Sequence, residues 1–273
     1  MQETLHSLGM QIEWGQSLII IGLVMTRVIV TTTIIPFLTG KPVPGEVRII
    51  LSISLLLLIY PAMAETLADQ VPQSGPVIIL LFLKEVLYGM TIGFVASIVF
   101  YGFDAAGRMI DNQRGAAQAR LLIPALGEQA TIFGSFQFQL GVVLFLVLGG
   151  HIMFFKAFGE SFISLPLLAV PAIGPGLLEL VDFLVVISTQ ILVMSLQLAA
   201  PVIVAIFMTD LILGIMNKVS PAINVFELGF SIRGYIGVLM LFLSFTVVVG
   251  EMKGSMQGMF GDLSRAIDHL AHL

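Results

Sequence analysis

Apolar residues run along this chain in blocks long enough to cross a bilayer, for which about 20 helical residues suffice. The blocks fall at Ser17–Leu38, Val77–Phe100, Ile132–Phe155, Leu177–Met216 and Val225–Val249, with a shorter one at Ile49–Ala62. The pattern predicts an all-α fold of six helical elements. Between them lie turn-rich breaks of Pro, Gly and Asn: GKPVPGE at 40–46, VPQSGP at 71–76, LPLLAVPAIGPG at 165–176 and NKVSPAIN at 217–224. The block Leu177–Met216 is the odd one. At 1.5 Å per residue it would reach about 60 Å, roughly twice a hydrocarbon core. Pro201 near its middle lacks a backbone donor and predicts a kink. The expectation is a long bent helix that projects beyond the bilayer or packs inside a larger protein body.

Composition sharpens this picture. Of 273 residues, 58% are hydrophobic and 11% charged, under half of the roughly 25% charge of a soluble domain. The chain reads as an integral membrane protein or a core subunit of a membrane-associated assembly. Basic residues in the connections are Lys41 and Arg48, then none, then Arg108, Arg114 and Arg120, then Lys156, then Lys218. That alternation predicts an outer N-terminus and cytoplasmic loops after the first, third and fifth elements, although Lys253 and Arg265 in the tail weaken it. The polar, acidic opening MQETLHSLGMQIEWGQ argues against a cleaved signal peptide. The absence of cysteine excludes thiolate chemistry and disulfides, and a thin net charge of −5 makes nucleic acid an improbable partner.

Among the charges inside the apolar blocks, Arg27, Lys84, Glu85, Asp182, Asp210 and Arg233 stand out. At about 2.5 to 3.5 kcal/mol each for a central Arg, Lys or Asp, leaving several in lipid would cost on the order of 10 kcal/mol. They should face protein, a neighbouring subunit or a wet path. A polar conduit or proton relay and a set of charges paired between helices both stand open for Arg27, Lys84 and Glu85; pairing or snorkelling is favoured for Asp182 and Arg233. Gly89, Gly93 and Ser97, four residues apart, form a small-residue ridge that permits close helix contact. Asp104, Arg108 and Asp111 share one helical face in alternating sign, so the third helix is expected to continue to about Asp111. Beyond it, NQRGAAQARLLIPALGEQ has two glycines and a proline and reads as a loop.

Catalytic signatures are missing. His6, His151, His269 and His272 are scattered, and Asp268 beside the last two fits a polar helix end better than a metal site. There is no phosphate loop, no zinc spacing and no nucleophile elbow; GSMQG at 254–258 lacks the central serine. The reading is not an enzyme, with no cofactor and no metal.

Two segments resemble a known family: IDNQRGA at 110–116 after a long apolar helix, and LGIMNKVSPAINVFELGF at 213–230. With the order of apolar blocks, they resemble the single-copy export-gate subunit of type III secretion, the FliR/SctT family of flagellar and virulence systems. The DNQRG run is more similar to the virulence branch. The resemblance implies a multi-pass protein of the bacterial inner membrane, in the core of the secretion basal body. There it would join five copies of a P/R-type subunit, four of a Q/S-type subunit and the export switch protein around unfolded secreted proteins. It implies an N-terminal part, 1–173, resembling the P/R-type subunit, and a C-terminal hairpin with polar tail, 174–273, resembling the Q/S-type subunit and closing the spiral. The implied plug of the gate lumen is the loop 111–128, with Asp111, Asn112, Gln113, Arg114, Gly115, Arg120, Gly127 and Glu128 as its site residues and Gly115 and Gly127 as hinges. Arg27, Lys84, Glu85, Asp104, Arg108 and Asp210 become polar or inter-subunit contacts, and Asn217, Lys218, Pro221 and Asn224 the hairpin tip. Three alternatives stay open. The loop could be an ordinary cytoplasmic one, the chain could be a stand-alone transporter or ion channel with Arg27, Lys84 and Glu85 as its relay, or it could be a scaffold without a conduit.

Overall fold

The computed structural model describes residues 14–39, 44–67, 71–115, 131–170, 176–222 and 224–272. Among them are nine α-helices and no strand: α1 (Trp14–Ile34), α2 (Pro36–Thr39), α3 (Gly45–Leu67), α4 (Gly75–Gln113), α5 (Ile132–Val147), α6 (Gly150–Ser164), α7 (Gly176–Val219), α8 (Val225–Leu243) and α9 (Phe245–Ala271). The chain is an all-α, polytopic membrane protein. By length and apolar composition, Gly15–Ile34, Gly75–Gln113 and Gly176–Val219 can each cross a bilayer. Counting the bent pairs α5 with α6 and α8 with α9 as one span each raises the number to five.

Three predicted blocks prove to be broken. Ser17–Leu38 splits ahead of Pro36 into α1 and α2, as expected where a proline ring disfavours helical backbone in the preceding residue. Ile132–Phe155 splits at Leu148–Gly149, where Gly149 takes φ +73°, a left-handed helix stop that glycine reaches at little cost. Val225–Val249 splits at Ser244, whose hydroxyl bonds the Met240 carbonyl at 2.7 Å. Other elements run longer than expected. The short second block extends to 23 residues as α3, α4 continues through Gln113, and α7 runs for 44 residues through Pro201. The contour of α7 is then about 66 Å.

Contacts divide the chain into two units. One comprises Met1–Ser97, Phe154–Phe183 and Leu263–Leu273; the other Ile98–Met153 and Leu184–Asp262. They interleave along the sequence, whereas the division at 173/174 concerns likeness to other subunits and is a separate matter.

In the first unit the small-residue ridge finds its partner in α1. A Cβ on Gly89 would lie 3.0 Å from the Arg27 carbonyl oxygen, and one on Gly93 would lie 3.0 Å from Ile34 Cβ. The hydroxyl of Thr31 bonds the Gly89 carbonyl at 3.2 Å, and that of Ser97 the Ile34 carbonyl at 3.2 Å. Along α6, Phe154 stacks on Phe158 at a centroid spacing of 5.9 Å and Phe162 meets Phe158 edge-on at 5.4 Å, with Phe37 edge-on to Phe154 at 5.6 Å. The second unit is centred on Phe100, Phe103, Phe145 and Phe260, neighbours at 5.3 to 6.4 Å. Gly141 makes room there for the Phe103 ring, and Gly102 for the Met194 sulfur. Hydroxyls on the apolar helices bond carbonyls three or four residues back, as Thr33 does to Ile29 at 2.7 Å and Thr209 to Ala205 at 2.9 Å. Those hydroxyls are then not carried unpaired into an apolar setting.

Candidate functional site

Arg27, Lys84 and Glu85 come together in the first unit, each with under 4% of its surface exposed. The Arg27 guanidinium forks onto the Glu85 carboxylate at 2.5 and 3.0 Å, and Lys84 Nζ lies 3.1 Å from the same carboxylate. Arg27 also donates to the Ser161 and Leu165 carbonyls at 3.0 and 2.9 Å, and reaches the Ser161 hydroxyl at 3.5 Å. Lys84 donates to the carbonyls of Pro166, Leu167 and Ala169 at 2.8, 2.8 and 3.1 Å. Every N–H of both cations is thereby used.

Two cations and one anion leave a net charge of +1. The partner for that excess is the C-terminal end of α6, which carries about half a negative charge in unpaired carbonyls. Aromatic faces close the cluster: Phe162 lies 4.3 Å and Tyr88 5.4 Å from the guanidinium carbon. Of the two readings left open by sequence, the geometry matches paired charges. The Arg27 guanidinium, with its N–H groups all bonded, keeps its protons in this arrangement.

In the second unit Asp104 and Arg108 pair at 2.6 Å with the arginine half exposed. Asp111 does not extend that ladder. Its carboxylate is fully buried, bonding Arg114 through one oxygen and the Gly134 N–H, on α5, through the other. Asp111, Asn112 and Gln113 are the last residues of α4, and Gly115 ends the turn at φ +98°. The expected loop thus begins later than Asp111. Its other residues, Arg120, Gly127 and Glu128, lie outside the described residues.

The hairpin of α7 and α8 is laced by Arg233 and Asp210 at 2.5 Å, residues equally far from Pro221–Ala222. Both are partly exposed. At its tip Asn224 starts α8, accepting from the Glu227 N–H at 3.4 Å and donating to the Glu227 carboxylate at 3.2 Å, a reciprocal cap. Asn217 and Lys218 fall in the last turn of α7, where a cation suits the helix end.

Sequence reasoning did not reach several residues. The carbonyls of Ser161, Leu165, Pro166, Leu167 and Ala169 act through backbone, which has no side-chain signature. Gly134 gave no signal because its role is to offer an N–H. Gln137 on α5 is 1% exposed, and neither amide atom has a hydrogen-bond partner among the described residues. A glutamine inside a block that is otherwise apolar was the available hint. Among the described residues no group of three or more His, Cys, Asp or Glu is placed to hold a metal ion.

Comparison with known proteins bears on what this arrangement serves. The family described as bacterial export proteins, family 1, matches residues 18–259. The Yop proteins translocation protein T of Yersinia pestis is 33% identical over 221 residues, covering 80% of this chain and 83% of that protein. The flagellar biosynthetic protein FliR of Pectobacterium carotovorum subsp. carotovorum is 27% identical over 215 residues, covering 79% and 80%. The surface presentation of antigens protein SpaR of Shigella flexneri is 26% identical over 163 residues, covering 60% and 61%. A match that takes in α1 through most of α9 shows the family, and the chain belongs to the bacterial export proteins of family 1, the FliR/SctT family.

Proposed function

We propose that this protein is a non-enzymatic core subunit of a type III protein export apparatus in the bacterial inner membrane, where it completes a pore for unfolded proteins and helps hold it shut at rest. The observation that carries the reading is the extent of the family match, residues 18–259, which includes both the segment after α4 and the α7–α8 hairpin. Relatives named for Yop translocation and for flagellar biosynthesis support the export role.

The structure supports a subunit over a free-standing transporter in two ways. Along α7, Leu178, Val185, Leu192, Leu196, Phe207 and Ile215 are all exposed over a contour about twice a hydrocarbon core, more apolar surface than a bilayer can cover. Neighbouring helices of other subunits would cover the remainder. In addition, among the described residues the Arg27 and Lys84 cations are held by Glu85 and by carbonyls of their own chain. In this reading the N-terminal part, 1–173, resembles the P/R-type subunit and the C-terminal hairpin, 174–273, the Q/S-type subunit, and by family resemblance the chain joins five and four copies of them respectively, together with the export switch protein. The segment that follows α4 is the plug, its charge a consequence of a wet lumen.

The test is the native mass of the complex after mild detergent extraction from cells co-expressing the neighbouring subunits. One copy of this chain in a particle of about ten subunits is expected. A monomer or symmetric dimer that moves an ion in liposomes would overturn the proposal.

A further inference from the structure

Among the described residues, three side chains hold buried polar atoms without a hydrogen-bond partner, and Gln137 differs from the other two. Arg48 and His151 each have one such atom, Nε and Nδ1, and both residues are partly exposed. In Gln137 the amide oxygen and the amide nitrogen are both unbonded, and the residue is 1% exposed. An amide that could donate twice and accept twice does neither.

The neighbours of α5 within the second unit locate it. At about 100° per residue, Gln137 stands about 40° around the helix from Phe133 and about 60° from Gly134. The Gly134 side is locked against α4. A Cβ on Gly107 would overlap the Phe133 backbone, and one on Gly134 would lie 3.1 Å from Arg108 Cγ. The Phe133 ring marks the other side, towards α7 and α8, and contact there is ordinary. A Cβ on Gly237 would lie 3.5 Å from that ring and 3.8 Å from Ile206. Gln137 therefore stands at the seam between a locked side and a looser one. One turn on, Gly141 meets the Phe103 ring and Met252.

Packing does not call for an amide at this seam. Methionine fills a similar volume, and an amide without partners raises the energy of the state that buries it. A state that admits water to the amide is favoured by the same amount, because only a difference between two states moves their balance. We propose that Gln137 biases the second unit towards opening: its amide is unsatisfied in the closed arrangement and bonds water once α8 parts from α5. The proposal rests on the pore reading above. In it α4 and α5 stay joined at Gly107, and the contact that gives way is the looser one between Phe133 and Gly237.

Because the chain has no cysteine, a single Gln137→Cys reports its own wetting. Membranes holding the co-expressed complex are treated with a water-soluble maleimide, at rest and with a substrate stalled in transit by a folded C-terminal domain. Labelling at position 137 should be about tenfold faster with the stalled substrate, as expected for an amide whose partners shift the balance by that factor. Val202→Cys, at a 0% exposed position on α7 in the same unit, should stay slow in both conditions. The second arm is Gln137→Met, which should assemble, melt at or above wild type as the isolated chain, and lower secretion about tenfold. Equal labelling at 137 in both conditions while export proceeds would overturn the proposal. So would a matching rise at Val202→Cys, which would mean general loosening, or an assembled Gln137→Met complex that secretes like wild type. A Gln137→Met chain that melts well below wild type would mark a structural amide and overturn it too. Normal secretion by cells lacking this chain would instead bring down the export reading, and this inference with it.

Discussion

Replacing Glu85 by glutamine removes the only anion, among the described residues, from the cluster that joins α1, α4 and the end of α6. The side chain keeps its shape, but Arg27 and Lys84 are left as two cations with no counter-ion, and the local charge rises from +1 to +2. Three contacts of 2.5, 3.0 and 3.1 Å lose their charge complement. Removing one partner of a fully buried ion pair costs about 3 to 5 kcal/mol. At roughly 2 to 4 °C per kcal/mol for a chain of this size, the apparent Tm should fall by about 6 to 20 °C. Arg27→Met alone leaves Glu85 paired with Lys84 but strands the Ser161 and Leu165 carbonyls. In the double variant the two uncompensated cations of Glu85→Gln are reduced to Lys84 alone, so its loss should be smaller than the sum of the singles by at least about 2 kcal/mol. The assay is a thermal melt of the detergent-solubilised protein for wild type, both singles and the double. Additivity within about 0.5 kcal/mol, or a Glu85→Gln protein that melts with wild type, would refute the claim that the three charges act as one electrostatic unit.

Three further outcomes follow from the same structure. Gly93→Leu should destabilise by about 1 to 3 kcal/mol in the same melt, because its Cβ would already be 3.0 Å from Ile34 Cβ and the added branch would force α4 from α1. Gln137→Met should be neutral or stabilising by up to about 2 kcal/mol in the isolated chain, since it removes a buried amide with no partner among the described residues. A marked loss of stability instead would mean that the amide is satisfied. Asn224→Ala should cost about 1 kcal/mol by removing the cap of α8, seen as a lower Tm and earlier proteolysis at the hairpin tip.

The parts legible in the sequence were those written in side chains with a fixed period. Gly89, Gly93 and Ser97 announced close helix packing, and the partner turned out to be the chain's own α1. The demand that Arg27, Lys84 and Glu85 be paired was equally visible. What they pair with was not, because half of their partners are backbone carbonyls between Ser161 and Ala169. Helix breaks at Gly149 and Ser244 were hidden for a different reason. Averaging apolar character along a window is blind to a change in backbone direction, and Leu148 is as apolar as the helix before it. Asp111 shows the limit of spacing rules. Its place seven residues after Asp104 put both on one helical face, yet Arg108 pairs with Asp104 while Asp111 turns to a glycine N–H on the next helix. A backbone donor 23 residues away leaves no mark in a periodicity argument.

The central claim is that unfolded proteins pass through a pore this chain helps to form, with the segment after α4 in its path. A photoreactive side chain placed at Arg114, at the start of that segment, in cells exporting a substrate stalled by a folded C-terminal domain, tests it most directly. Adducts between position 114 and the stalled substrate are predicted, with none from the same probe at Leu58, which is 76% exposed on α3. Export that proceeds with no adduct at 114, or with equal adducts at both positions, would contradict the account.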